Sequence, residues 1–119
     1  MLGDITAASE IYIVCGHTDM RKSIDGLCAL VQNQLHMDPY RQALYIFCGR
    51  RRDRIKVLLW EGDGFVLLYK LLASNGSYRW PRTQSEVRSL TWQQLDWLLS
   101  GLEIDQPKAI KPCPKPAPK

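Results

Sequence analysis

Arg50, Arg51, Arg52 and Arg54 crowd one short stretch, with Asp53 among them and Lys56 two residues beyond. A guanidinium presents a planar fork of donors that matches the oxygens of a phosphate. Gly49 opens the stretch and apolar runs flank it, so it reads as the tip of a basic β-hairpin. Such a tip can lie along a nucleic-acid backbone. The competing reading is a solvated charged turn that keeps a sheet from aggregating. Four arginines in five residues exceed what solubility needs. Phosphate contact is therefore the expectation, carried by Arg50, Arg51, Arg52, Arg54 and Lys56. Arg21 and Lys22 are secondary candidates. They stand near a helix start, against the dipole preference, so they pair with Asp19 or Asp25 or face a ligand.

Tyr78 and Trp80 alternate with Arg79 and precede Arg82, and Trp60, Tyr69 and Lys70 lie upstream. Basic–aromatic interleaving suits stacking on single-stranded bases, which makes Tyr78 and Trp80 the candidate stacking residues. The plainer account is that these rings pack in or beside a sheet, where Trp and Tyr are favoured.

Other chemistry finds less support. Cys15, His17, Cys28, His36 and Cys48 include the ligand types of zinc, but no C-x-x-C pair occurs and Cys28 falls on an apolar helix stripe. Asp19, Asp25, Asp53, Glu61 and Asp63 could in principle hold Mg²⁺. Asp19 and Asp25, however, flank a helix start, where acids are expected for electrostatic reasons. No phosphate-binding loop, H-E-x-x-H or serine triad pattern is present. The expectation is a non-enzyme without cofactor or metal.

The elements that position these residues follow from the pattern of the 119-residue chain. Residues 11–14 are β-branched or aromatic and read as a strand. Ile24, Leu27, Cys28, Leu30, Val31 and Leu35 repeat at helical spacing, capped by Ser23 or by Thr18 or Asp19, with an end near His36 before Pro39. Apolar runs at 43–47, 55–60 and 65–72 are separated by the arginine turn and by Asp63-Gly64, which favours a hairpin. Residues 77–80 are a candidate fourth meander strand, and residues 82–90 read as loop. Thr91 with Gln94 forms a capping box for a second helix, whose stripe is Leu95, Leu98, Leu99 and Leu102, with Gly101 as its terminator.

The fold class is α+β, in the order β-α-β-β-β-(β)-α. It comprises an antiparallel meander of three to four strands plus an N-terminal strand, packed with two helices. The strand runs are nearly continuous in apolar residues, so both sheet faces must be covered, by the two helices or by a partner chain. Residues 1–105 are one domain. Residues 106–119 hold five prolines and four lysines and are predicted to be a disordered, polyproline-like tail.

Composition agrees with a soluble globule: 45% hydrophobic and 24% charged residues. No apolar run suits a membrane span, and no signal peptide opens the chain, so a cytoplasmic location is expected. The formal charge of +4 resides in the tail, because residues 1–105 carry twelve basic and twelve acidic side chains. Within that body the charge is uneven. Residues 41–88 hold ten basic and four acidic residues, whereas residues 1–40 hold two and five. A positive block of that kind can steer a polyanion.

Several blocks carry a resemblance. They are V-C-G-H-T-D-M-R-K-S-I-D-G-L at 14–27, F-C-G-R-R-R-D-R-I-K-V-L at 47–58, W-E-G-D-G-F at 60–65, Y-K-L-L at 69–72 and W-P at 80–81. In this order they resemble the TnpB family of accessory proteins, products of the second open reading frame of insertion sequence sixty-six elements. The resemblance spans about residues 10–104 and leaves the tail outside. It implies a bacterial mobile-element protein that assists transposition and is distinct from the catalytic transposase. With the arginine cluster, the expected partners are DNA at the element ends, the transposase and other proteins of the same element, and a second copy of the chain. The resemblance carries over no catalytic residue. The alternative it leaves is a pure protein-interaction subunit without DNA binding of its own, and behind that a small metal-dependent nuclease.

Overall fold

The computed structural model describes residues 2–84 and 86–110. β1 (Glu10–Val14) leads through α1 (Ile24–Asn33) into β2 (Ala43–Cys48). β3 (Arg54–Trp60), β4 (Phe65–Leu71), β5 (Val87–Leu90) and α2 (Trp92–Leu99) follow. They build one five-stranded sheet in the order β4-β3-β2-β1-β5. β2, β3 and β4 form the expected antiparallel meander. β1 is parallel to β2, because α1 carries the chain back across the sheet between them.

Strand β2 explains why the apolar runs are continuous. All six of its residues are buried. Leu44, Ile46 and Cys48 face one cluster, which is closed by Leu95 and Leu98 of α2. Ala43, Tyr45 and Phe47 face the other, closed by Leu27, Leu30 and Val31 of α1. Each helix thus covers one face. On the α2 face the segment before β1 extends the cover, where Gly3 lies against Val66 and Leu68 of β4.

Two strand expectations are corrected. Residues 77–80 do not extend the meander. The Tyr78 N–H donates to the Arg52 carbonyl, and the segment crosses the tip of the β2–β3 hairpin. The additional strand is β5, inside the stretch predicted to be loop. It pairs antiparallel with β1, Val87 opposite Val14 and Leu90 opposite Ile11, and so covers the outer edge of a buried strand. Val-Arg-Ser-Leu has too little apolar pattern to announce itself, and only that free edge makes it a strand.

The helix ends are local in origin. α1 stops at Asn33, short of His36, which takes a left-handed φ of 54°. Ser23 occupies the N-cap position without a side-chain cap bond. α2 carries the full capping box between Thr91 and Gln94. It ends in a Schellman turn, with Leu102 N–H on the Trp97 carbonyl, Gly101 N–H on that of Leu98, and Gly101 at φ 81°. Of the predicted stripe, Leu95 and Leu98 are buried, while Leu99 and Leu102 are exposed. Of the predicted tail, residues 106–110 hold a turn closed by Ala109 N–H on the Gln106 carbonyl, and 111–119 lie outside the described residues.

Candidate nucleic-acid interface

The arginine stretch is the β2–β3 connection, as its flanks imply. Gly49 N–H donates to the Arg54 carbonyl, and Arg52 N–H returns to that of Gly49. Arg52 closes the turn at φ 59°. Arg50 and Arg51 are exposed and have no ion-pair partner among the described residues. Arg54 is engaged, forking onto Asp53 at 2.8 Å and holding that carboxyl below its usual range.

The 17–22 segment is fastened against this hairpin. Thr18 is buried and its N–H donates to the Cys48 carbonyl at 2.8 Å. Gly49 has no side chain because Met20 is there; a Cβ would sit 2.9 Å from Met20 Cγ. Lys56, only 7% exposed, sends Nζ to the carbonyls of Met20 and Lys22 at 2.7 and 2.8 Å. Its ammonium lies 5.4 Å from the Tyr69 ring centroid. Lys56 therefore departs from the expected phosphate role. It pins a loop, and its donors are directed inward. Arg21 is exposed and chelates Asp19, whose carboxyl is thereby lowered to about 2. Lys22 is half-buried beside Gly26.

Tyr78 and Trp80 also depart from expectation. They are 1% and 4% exposed and belong to the α2-side core. Trp80 Nε1 donates to the Val14 carbonyl at 2.9 Å. Their faces are not open to bases. What the 78–84 segment offers instead is Arg79 and Arg82, exposed on either side of the buried Trp80.

Three concavities meet at this end of the sheet, where β1 and β2 terminate. One, of about 270 Å³, is lined by His17, Arg50, Arg52, Arg82 and Gln84, with no carboxylate among the described residues of its wall. Its backbone floor is Gly16 at φ 75°, where a Cβ would lie 2.5 Å from Gln84 Oε1. A second, of about 660 Å³, runs past His17, Asp19, Arg50 and Arg51. A third, of about 310 Å³, carries Arg79, Arg82 and the Arg88–Asp105 pair. The fold adds His17, Arg79, Arg82 and Gln84 to the arginines that stand together in sequence. Their only sequence signal was proximity to Cys15 or to the aromatics, which pointed to zinc or stacking. Among the described residues no three His, Cys, Asp or Glu side chains are placed to hold a metal ion. No helix of those residues is long and apolar enough to cross a membrane.

The T-D-M-R-K and G-R-R-x-D-R-x-K blocks, separated in sequence, are thus one structural unit locked by Gly49, Thr18 and Lys56. The model of the IS66 Orf2-like protein family matches residues 9–109. The uncharacterized protein y4hO of Sinorhizobium fredii (strain NBRC 101917 / NGR234) is 34% identical over 99 residues, 83% of this chain and 85% of that protein. The uncharacterized protein y4jC of the same strain is 30% identical over 107 residues, 90% of each chain. No solved structure matches. The family match covers every described strand and helix from β1 to α2, and the chain belongs to the IS66 Orf2-like protein family.

Proposed function

We propose that the chain is a non-catalytic accessory factor for transposition of an insertion sequence, and that its basic end holds DNA backbone phosphates. The observation that carries this reading is the cleft of His17, Arg50, Arg52 and Arg82, drawn from three separate segments with no carboxylate among the described residues of its wall. Guanidinium forks around a concave site suit phosphate oxygens. Among the described residues no helix lines the three clefts, so the binding is backbone-directed and salt-sensitive. Arg50, Arg51 and Arg52 make the contacts, with Arg82 beside them, and the transposase of the same element is the protein partner.

The test is fluorescence anisotropy with the element's terminal inverted repeat and a shuffled duplex at two salt concentrations. Affinity that falls with salt and collapses in Arg50→Ala/Arg51→Ala/Arg52→Ala is the expected result. Absence of binding by the native chain at physiological salt favours the second reading, a subunit acting only through protein contacts. That reading has its own support: β4 is a seven-residue edge strand with Tyr69 and Leu71 half exposed, the kind of edge to which another chain can add a strand.

A further inference from the structure

At the opposite end of the sheet lies a concavity of about 470 Å³ whose charge is the reverse. Asp4, Glu61 and Asp63 line it, and among the described residues no basic side chain does. Its walls are aromatic. Tyr40 packs edge-on to Trp60 at a centroid distance of 4.9 Å, and Phe65 backs both. Tyr40 is 53% exposed. Tyr40 and Trp60 thus line the groove beside three carboxylates, with Phe65 behind them packed against the α1-side core.

The chain contains a segment that matches this groove in both respects. Residues 111–119 place Pro at 112, 114, 116 and 118, Lys at 111, 115 and 119, and no acid. Proline fixes φ and removes the donor, so such a sequence favours the polyproline II conformation. Aromatic-lined grooves bind that conformation because its ordering cost is already low. Three ammonium groups meet three carboxylates.

Reach is adequate. Ile110 lines a groove with Thr91. Thr91 follows Leu90, which pairs with Ile11 at the start of β1. Glu10 lies beside Ala43, and Leu44 opposite Leu59, next to Trp60. Ile110 and the acidic groove therefore share one end of the sheet. From β5 to β3 is three strand spacings, roughly 14 Å. Nine residues of polyproline II extend roughly 28 Å.

We propose that the groove of Tyr40, Trp60 and Asp63 binds the chain's own Lys111–Lys119 segment, with its ammonium groups on Asp4, Glu61 and Asp63. The docked segment carries its lysines to the end of the molecule remote from the arginine clefts. The proposal is independent of DNA binding there.

The full chain labelled with 5-fluorotryptophan tests it by ¹⁹F NMR. The Trp60 line is identified by its loss in Trp60→Phe, and the line of buried Trp80 is the internal reference. Lys111→Glu/Lys115→Glu/Lys119→Glu is expected to shift the Trp60 line and leave Trp80 in place. Asp63→Lys in the native-tail chain is expected to shift it as well. A synthetic peptide of residues 111–119, added to the tail-reversed chain, is expected to return the line toward its native position. An unmoved Trp60 line in both the tail-reversed chain and the peptide titration overturns the proposal. A native Trp60 position that changes on dilution assigns the groove to a second copy and overturns the own-tail assignment. A tail reversal that lowers DNA affinity without moving Trp60 places the lysines on DNA and overturns it too.

Discussion

Lys56 and Arg51 stand five residues apart in one basic run and do opposite work. Arg51 is exposed on a hairpin tip; Lys56 is buried beneath the 20–22 loop with two carbonyls on its ammonium. Hydrogen bonds to a charged group contribute about 1.5–3 kcal/mol each, and the orphaned carbonyls here can regain water in part. Lys56→Met is therefore expected to lower unfolding stability by about 1.5–3 kcal/mol in a urea titration. Arg51→Ala is expected to change stability by under about 0.5 kcal/mol, and on the proposed function its effect falls on DNA affinity. A stable Lys56→Met chain with lost DNA affinity would instead make Lys56 a phosphate ligand. Cys48 gives a second contrast. Burial pushes its thiol up to about 12, from an ordinary value near 9. The folded chain thus holds this proton more tightly than the unfolded chain. That contribution is complete below pH 9 and is lost as pH rises toward 12. At pH 8 a disulfide reagent should leave Cys48 unmodified until denaturant is added; rapid reaction of the native chain at Cys48 would contradict its burial.

At the scale of elements, α2 is the part most completely written in local sequence. Its capping box joins neighbours three residues apart, and its terminator is one glycine at φ 81°. Thr91→Ala is expected to cost about 1 kcal/mol. Gly101→Ala is expected to cost about 1–2 kcal/mol, because a Cβ disfavours the left-handed region although space there is open. Thermal unfolding of the two variants checks both values. Strands β1 to β4 were readable for a related reason, since each is an apolar run with Gly or Asp at or within two residues of one end: Gly16, Gly49, Asp53 and Gly64. β5 was not, because Val87–Leu90 becomes a strand only by pairing with β1. Tyr78 and Trp80 take the packing reading over the stacking one for the same reason: nothing in Tyr-Arg-Trp-Pro tells that the segment folds over the hairpin into the core. The candidate interface was half legible. Arg50, Arg51 and Arg52 are contiguous, so composition exposes them. His17, Arg82 and Gln84 join them only because β1 and β2 end side by side and Gly16 lets Gln84 approach.

The whole molecule is electrically polar along its strands. Arginines gather where β1 and β2 end, and Asp4, Glu61 and Asp63 lie where those strands begin. A net charge of +4 hides this, since the opposed ends cancel in the sum. Polarity of this kind orients the chain on a polyanion before any short-range contact forms. It also yields a quantitative expectation. Each phosphate neutralised contributes about 0.9 to the slope of log affinity against log salt on duplex DNA. Arg50→Ala/Arg51→Ala/Arg52→Ala should therefore flatten the slope by about 2.7 if all three guanidiniums sit on phosphates. Asp63→Lys, made together with Lys111→Glu/Lys115→Glu/Lys119→Glu so that it releases no tail lysine toward DNA, adds a positive charge at the far end and should leave the slope of that tail-reversed chain unchanged. A uniform field around a cationic chain would steepen the slope with Asp63→Lys and flatten it with any cation removed. Measuring both variants over the same salt series thus separates a localised basic end from charge acting in bulk. Only the first outcome lets a protein this small hold DNA at one end while the acidic end makes a separate contact of its own.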